Sequence, residues 1–275
     1  MVVSSVLWRM ILASACVGVA ASAARADQTV DVELVLAVDV SLSMSPDELE
    51  IQRHGYAAAM ADKQVIDAIL DGANGRIAVT YIEWAGVHTQ RIIVPWTIIS
   101  SKADADAFSA KLTSEVPQSA RRTSISSGIL FATDLFAESG LHAVKRVIDV
   151  SGDGPNNEGG PVTEARDKAV ALGIIINGLP LMTNDGYISA YDLKDLDKYY
   201  ANCVVGGPGS FMVPVNDWEQ FPEAVRRKLV QELAGPPVQP RPTVPAVVKV
   251  DTKPAYNCLV GEQMWGDGPW NLNTK

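Results

Sequence analysis

The sequence is poor in the residues that bind zinc and copper. It holds three cysteines and three histidines among 275 residues. The histidines, His54, His88 and His142, are scattered without the short spacing that metal-binding histidines usually have. We therefore interpret each histidine as structural and expect no metal centre built on nitrogen or sulfur ligands.

Positive charge is also in short supply. Lysine and arginine number 23 against 32 aspartates and glutamates, which gives a formal net charge of −9. Non-specific binding of nucleic acid requires basic side chains that neutralise phosphates. The acidic balance therefore argues against a nucleic-acid partner, although it does not identify another one.

Long apolar runs are missing beyond the N-terminus, so we predict no membrane-spanning segment in the mature protein. Residues 1–26 have the pattern of a secretory signal peptide. Arg9 precedes an apolar run over residues 10–23, and the small-x-small sequence at residues 24–26 is typical of a cleavage site. Cleavage is expected before Asp27.

The leader predicts that the mature chain is periplasmic or extracellular. Cys203 and Cys258 remain after cleavage, and in an oxidising compartment such a pair is expected to form a disulfide. Two buried free thiols are the alternative. Cys16 leaves open a lipoprotein anchor instead of simple secretion, although Ala13 and the apolar sequence after Cys16 fit an anchor poorly.

Common catalytic motifs are absent. The sequence has no Gly-x-Ser-x-Gly elbow and no phosphate-binding P-loop, and no histidine lies near Ser41 or Ser43 in the sequence. A phosphatase with an aspartyl nucleophile would need aspartate at position 41. We therefore predict that the protein is not an enzyme.

The chain does have a regular alternation of apolar strands and amphipathic helices. A first strand ends at Asp39, and a hairpin joins strands over residues 76–84 and 89–98. The pattern predicts an α/β fold with a doubly wound, mostly parallel central sheet, one antiparallel edge strand and helices on both faces. Residues 27–235 should form this domain. A Pro-rich linker and C-terminal tail over residues 236–275 should pack on it through Cys258.

Three further elements are predicted in the C-terminal part of this domain. Residues 193–201 should form a short helix, and residues 211–215 a short strand. Residues 221–233 should form an amphipathic helix. Its basic residues are expected largely on the polar face; they are Arg226, Arg227 and Lys228.

Oxygen-bearing side chains follow the strands at three places. Asp39, Ser41 and Ser43 follow the first strand, Thr123 opens a helix, and Asp153 follows a later strand. Ligands of open α/β sheets bind at the carboxyl ends of the strands, where such loops converge. Oxygen donors favour Mg²⁺, or Mn²⁺ or Ca²⁺, over zinc and copper. The alternative is that these residues only cap helices and shape turns.

The three motifs together resemble the metal-ion-dependent adhesion site (MIDAS) of a von Willebrand factor A-type (VWA) domain. They read Asp39-x-Ser41-x-Ser43, then Thr123-Ser-Ile-Ser-Ser-Gly-Ile, then Ser151-Gly-Asp153-Gly. The likeness covers about residues 30–235 and is greatest to a branch of secreted bacterial proteins of unknown function.

The resemblance implies a role for each of the five residues. Ser41 and Ser43 would coordinate the metal directly, and Thr123 directly or through water. Asp39 and Asp153 would also act directly or through water. A carboxylate of the ligand would complete an octahedron around the cation.

One position departs from the VWA pattern. The closing acid usually follows a serine or threonine directly, whereas Gly152 separates Ser151 from Asp153. Asp149 is the alternative ligand. We favour Asp153 because it lies past the end of the strand, whereas Asp149 should lie within it.

Three charged residues near these motifs are possible ligand contacts. Arg121 and Arg122 precede Thr123, and Glu83 lies at the end of a strand near the same edge. Glu83 could orient the site or pair with one of these arginines. The alternatives are a purely structural ion pair for Glu83 and a solvated loop for the arginines.

The function predicted from these motifs is that of a secreted or periplasmic binding module. It would use a divalent cation to bind an acidic group of a protein or other ligand. A metal-stabilised scaffold without ligand binding is one alternative, and a metal-dependent hydrolase is a weaker one.

Overall fold

A computed structural model describes residues 29–183, 193–234 and 256–266. The predicted leader (residues 1–26), the predicted Pro-rich linker and the end of the tail (residues 267–275) lie outside the described residues. Within them, no helix combines the length and the apolar character needed to cross a bilayer.

A five-stranded sheet forms the centre of the fold. The strands are β1 (Thr29–Asp39), β2 (Ile77–Trp84), β3 (Gln90–Ile99), β4 (His142–Gly152) and β5 (Ile174–Pro180), in the spatial order β3-β2-β1-β4-β5. β1, β2, β4 and β5 are parallel, and β3 pairs antiparallel with β2 at one edge. The predicted fold class is therefore confirmed.

Helices cover both faces of the sheet. One face carries α1 (Pro46–Met60), α2 (Lys63–Leu70), α3 (Lys102–Leu112) and α7 (Phe221–Ala234). The other carries α4 (Ile125–Glu138), α5 (Val162–Ala171) and α6 (Leu196–Tyr199), which continues into a π-helical turn at Tyr200–Val204. A further short helix, α8 (Val260–Gly266), lies in the tail. β1 is buried against both layers because its apolar residues are almost continuous.

Local sequence sets where the helices begin. Ser45 forms a capping box with Glu48 at the start of α1: the Glu48 N–H donates to the Ser45 hydroxyl (3.3 Å), and the Ser45 N–H donates to the Glu48 carboxylate (2.6 Å). Pro46 occupies the first helical turn, where its missing N–H costs nothing. These caps end the loop that follows β1 and fix its length.

The strand order creates a topological switch point beside β1. From β1 the chain moves outward to β2 and β3, and then crosses to the other side through β4 and β5. The loops after β1 and β4 therefore leave the sheet in opposite directions and open a crevice at its carboxyl edge. Asp39 ends β1 and Asp153 follows β4, so both lie at this crevice.

The predicted strand at residues 211–215 does not form a regular ladder. It touches β5 through two separate bridges, Gly178 to Met212 and Leu181 to Val215. The ladder is interrupted because Pro180, between the two bridges, has no N–H to donate. The predicted short helix at residues 193–201 is shorter than expected and passes into the π-helical turn.

The prediction for Lys228 was wrong, because its side chain is buried rather than on the polar face of α7. Its ammonium group lies 2.5 Å from Asp149 of β4 and 2.5 Å from Glu232 one turn later in α7. Burial alone would lower the pKa of Lys228, but the two carboxylates raise it. Periodicity placed Lys228 with its basic neighbours, whereas the buried acid on the facing strand draws it inward.

The disulfide predicted from the sequence is present. Cys203, in the π-helical turn, is bonded to Cys258, and their Cα atoms are 5.5 Å apart. Cys203 is fully buried, and Tyr256 and Val260 of the tail pack against the same hydrophobic cluster. The described part of the tail is thus covalently and sterically attached to the domain.

Replacement of the buried lysine should destabilise the protein strongly. Lys228→Met would leave Asp149 and Glu232 buried without the ammonium group that pairs with both. Loss of one partner from a buried charge pair costs about 3–5 kcal/mol, which we expect as the drop in the free energy of unfolding at pH 8. Urea unfolding measures this, and Arg227→Met, an exposed neighbour in the same helix, is the matched control.

The drop in the free energy of unfolding caused by Lys228→Met should become smaller as the pH falls. Burial raises the pKa of Asp149 to about 7 even beside Lys228, which lowers it, and Glu232 raises it. A carboxyl with a raised folded-state pKa favours the fold below its unfolded value near 4. That contribution is lost as the pH rises through the folded-state pKa. An equal loss at pH 5 and pH 8 would contradict a charge-based cause.

Candidate metal centre

The first loop of the site is organised by the carboxylate of Asp39. Asp39 is the last residue of β1 and is fully buried. Its Oδ1 accepts a hydrogen bond from the N–H of Ser41 at 2.7 Å, which turns the chain sharply after the strand. The turn directs the hydroxyl groups of Ser41 and Ser43 to the same place.

Hydrogen bonds join the first loop, which follows β1, to the third loop, which follows β4 and carries Asp153. The Oγ atoms of Ser41 and Ser43 are 2.8 Å apart, and the Ser43 hydroxyl donates to Oδ1 of Asp153 at 2.8 Å. Residues separated by 110 positions in the sequence are thereby brought into contact. The structure places four of the five predicted ligands, Asp39, Ser41, Ser43 and Asp153, in one cluster.

The second carboxylate oxygen of Asp39, Oδ2, differs from the first in its hydrogen bonding. Oδ2 is buried and has no hydrogen-bond partner among the described residues. Burial raises the pKa of Asp39 well above its ordinary range, and the negative charge of Asp153 raises it further. A buried carboxylate that faces a second acid is costly unless a cation is close. The electrostatics of this cluster therefore suit a positive ion.

Gly152 departs from the family pattern for a steric reason. A Cβ atom at position 152 would lie 2.9 Å from Oδ2 of Asp39 and 2.9 Å from the hydroxyl of Tyr200. A serine or threonine there would displace one of these groups. The glycine lets the third loop pass close to Asp39 and carry Asp153 to Ser43.

Asp149, the alternative ligand, lies elsewhere. It is inside β4, with its side chain on the face covered by α7, and it pairs with Lys228 at 2.5 Å. Its charge is thus used within the protein interior, whereas Asp153 lines the cleft at the sheet edge.

Thr123 is held by the third loop. Its N–H donates to Oδ1 of Asn157 at 2.9 Å, and its carbonyl accepts from the Asn157 N–H at 2.8 Å. Ser124, the next residue, caps α4 with its hydroxyl. Thr123 lines the same cleft as Ser41, Ser43 and Asp153, so the loops of all three motifs converge.

Sequence reasoning missed the role of Asn156 and Asn157 at this site. The Asn156 side chain accepts from the N–H of Ser126 (3.0 Å) and donates to Glu262 of α8 (2.7 Å). Two adjacent asparagines after a strand were the available signal. They join the third loop both to the second loop and to the tail.

The three loops and α8 enclose a cleft of about 640 Å³. Arg121 and Arg122 line it, as the sequence suggested. Glu83 does not line it: this buried carboxylate lies 2.7 Å from Arg53 and 2.8 Å from Arg91, so it forms a structural ion pair and does not orient the site. Met264 and Trp265 of α8 also form part of the wall, and no pattern in the sequence indicates this.

The five candidate ligands are all oxygen donors. Two carboxylates, two serine hydroxyls and a threonine make a set that suits a hard dication such as Mg²⁺. Within the described ranges, no group of three histidine, cysteine, aspartate or glutamate side chains is placed to hold a metal ion. Binding here would therefore depend on the hydroxyl groups as well as the two acids.

Comparison with solved structures identifies the class of fold. Proximal thread matrix protein 1 from the mussel byssus matches with a TM-score of 0.52 and 15% identity, over 76% of this chain and 49% of that one. The pilus adhesin SpaC of Lactobacillus rhamnosus GG matches with a TM-score of 0.53 and 13% identity, over 74% and 30%. The chain thus spans about half of the first protein and under a third of the second. The fold is that of a VWA-type domain.

The sequence also assigns the chain to a family. Residues 29–237 match the family described as "Protein of unknown function (DUF1194)", and the chain belongs to that family. No curated protein matches the sequence. A zinc-occupied MIDAS motif is described for another form of the mussel protein, which matches with a TM-score of 0.51 and 15% identity, over 76% of this chain and 48% of that one.

Gly152→Ala tests the close approach of the third loop to Asp39. The added Cβ should displace Asp39 or Tyr200, and overpacking of this kind costs about 1–3 kcal/mol. Thermal and urea unfolding measure the loss. Gly154→Ala is the matched control, because a Cβ there meets nothing within 4 Å. Equal stability of the two variants would show that the approach is not tight.

Proposed function

We propose that this protein is a metal-dependent binding module that recognises a carboxylate of a protein or other ligand. The observation that carries the proposal is the buried Oδ2 of Asp39. It lacks a hydrogen-bond partner among the described residues and lies in a cluster with two serine hydroxyls and Asp153. An uncompensated acid in a ring of oxygen donors is what a cation site requires before its ion binds.

The hydroxyl residues and the carboxylates would have different roles in the proposed site. Ser41 and Ser43 would hold the cation directly without neutralising it, and Thr123 would do so directly or through water. Asp39 and Asp153 would supply the negative charge that balances a dication. When bound, Mg²⁺ would supply a positive centre that accepts a carboxylate of the ligand.

Two findings on other proteins support a binding role. The mussel byssus protein has a MIDAS motif that holds zinc, and SpaC is a pilus adhesin. Both share the fold of this chain. We prefer Mg²⁺, or Mn²⁺ or Ca²⁺, for this site because all five donors are oxygens.

We place the protein outside the cytoplasm, in the periplasm or the extracellular space. The Cys203–Cys258 disulfide supports this, since such bonds persist in oxidising compartments. The leader pattern of residues 1–26 points the same way.

Mg²⁺ should stabilise the protein in a manner that depends on the serines. At about one hundred times its Kd, a ligand that binds only the folded state adds about 2.7 kcal/mol, which corresponds to a rise in Tm of about 5–10 °C. We expect this rise for the wild type and its loss in Ser41→Ala/Ser43→Ala. Thermal unfolding with Mg²⁺ or EDTA measures both.

Ser114→Ala is the matched control for the double variant, because this exposed serine lies outside the cleft and its hydroxyl donates to the carbonyl of Lys111. It should keep the full response to Mg²⁺. The double variant should still unfold cooperatively in EDTA, which shows that it folds. If the Tm of the wild type in Mg²⁺, Mn²⁺ and Ca²⁺ equals its Tm in EDTA, the proposed metal site is contradicted.

Carboxylate recognition predicts metal-dependent retention of acidic peptides. An immobilised wild-type protein should enrich a library of C-terminally amidated heptapeptides when Mg²⁺ is present, and not in EDTA. Each peptide has a fixed central aspartate, and the other positions are random but exclude aspartate and glutamate. The same library with a fixed central asparagine should not be enriched, since the amide cannot supply the charge. A Tm response to Mg²⁺ without any enrichment would identify a structural cation site instead.

A further inference from the structure

The tail helix α8 packs on the third loop of the candidate metal centre, the loop that carries Asp153. The disulfide from Cys258 to Cys203 brings it there, and Gly261 then lies directly on the backbone of Asn156: a Cβ at position 261 would be 2.1 Å from the Asn156 carbonyl oxygen. Glu262 accepts a hydrogen bond from the Asn156 side chain at 2.7 Å. The tail is therefore fitted to the loop that carries Asp153.

The docked tail adds an apolar wall to the cleft. Met264 and Trp265 line the same cavity as Ser43 and Asp153. Leu42, between the two serines, also lines it and is 56% exposed. A single exposed leucine is common on protein surfaces, but several apolar side chains that share one cleft are typical of a surface that binds an apolar group.

Arg122 connects this wall to the metal loop. Its guanidinium carbon lies 4.3 Å from the ring centre of Trp265, within the range of a cation–π contact. Its backbone has φ of 73°, the left-handed region that a residue with a side chain seldom adopts. Arg122 directly precedes Thr123 in the chain, and backbone strain of this kind is concentrated at functional sites.

We propose that α8 is a specificity-determining wall of the cleft, and that Trp265, stacked on Arg122, selects an acidic peptide segment with an apolar residue next to its carboxylate. The inference rests on the proposed function, because the carboxylate itself would bind at the cation.

The chemistry of the cleft fits this occupant. Arg121 and Arg122 give the rim positive charge in a protein whose net charge is −9, so an acidic segment is attracted here. Leu42, Met264 and Trp265 give an apolar surface within the same cavity as the oxygen donors. An acid with an apolar neighbour matches both parts.

Two defined heptapeptides test the inference. One has a central aspartate flanked by leucines, and the other has the same aspartate flanked by glycines. In Mg²⁺, the wild type should bind the leucine-flanked peptide about tenfold more tightly, the gain expected from burial of part of a leucine side chain. Trp265→Ala should bring both peptides to the affinity of the glycine-flanked one. Fluorescence polarisation measures these affinities.

Two control pairs separate a missing wall from a damaged site. Gly261→Ala should unseat α8 and lose the preference, whereas Gly266→Ala should keep it, since a Cβ at 266 meets nothing within 4 Å. Leu259→Ala, an exposed tail residue outside the cleft, should also keep it. The Tm response to Mg²⁺ should be unchanged in Trp265→Ala, Gly266→Ala and Leu259→Ala, because none of these residues supplies one of the five donors.

The outcomes distinguish the two proposals. Equal affinity of the wild type for the two heptapeptides, or a preference that survives Trp265→Ala, would overturn the role of α8 and leave the metal site standing. Failure of the wild type to respond to Mg²⁺ and to enrich the aspartate library would overturn the proposed function, and the inference with it.

Discussion

The buried carboxylate of Asp39 is the constraint around which this end of the sheet is built. One oxygen is satisfied by the N–H of Ser41, which sets the turn after β1. The other faces the cluster of Ser43 and Asp153, close enough that only glycine fits at position 152. Burial of a charge without a partner is unfavourable. This cost is the physical reason to interpret the surrounding loops as a candidate cation site. In the proposed site, the two serines would supply coordination and the two acids would supply charge.

Asp39 in β1 and Asp149 in the neighbouring strand β4 are both buried, but their charges have different surroundings. Asp149 has a cation of the protein itself, the buried Lys228, with Glu232 as a second acid. Asp39 has a backbone N–H and a second acid nearby, and Oδ2 has no hydrogen-bond partner among the described residues. The first arrangement is complete and stabilises the contact between α7 and β4. The second is incomplete, as we expect of a site that binds a cation.

The third loop joins the parts of the site to one another. Asn157 holds the backbone of Thr123, and Asn156 holds both the start of α4 and Glu262 of the tail. A change in the position of the tail would therefore be felt at the loop that carries Asp153. This mechanical link gives a physical reason for a disulfide at Cys203, since it keeps α8 on the loop at no further conformational cost.

The sequence alone determined the fold class and the positions of the polar loops, because periodicity and strand-end chemistry are local properties of the chain. It placed Asp39, Ser41, Ser43, Thr123 and Asp153, and it paired Cys203 with Cys258. Only the tertiary structure decided the inward position of Lys228, the ion pairs of Glu83, the need for Gly152 and the place of Trp265. Each of these depends on a partner distant in sequence: Asp149 facing α7, Arg53 and Arg91 beside β2, Asp39 against the third loop, and Arg122 beneath the tail. No local pattern encodes such contacts.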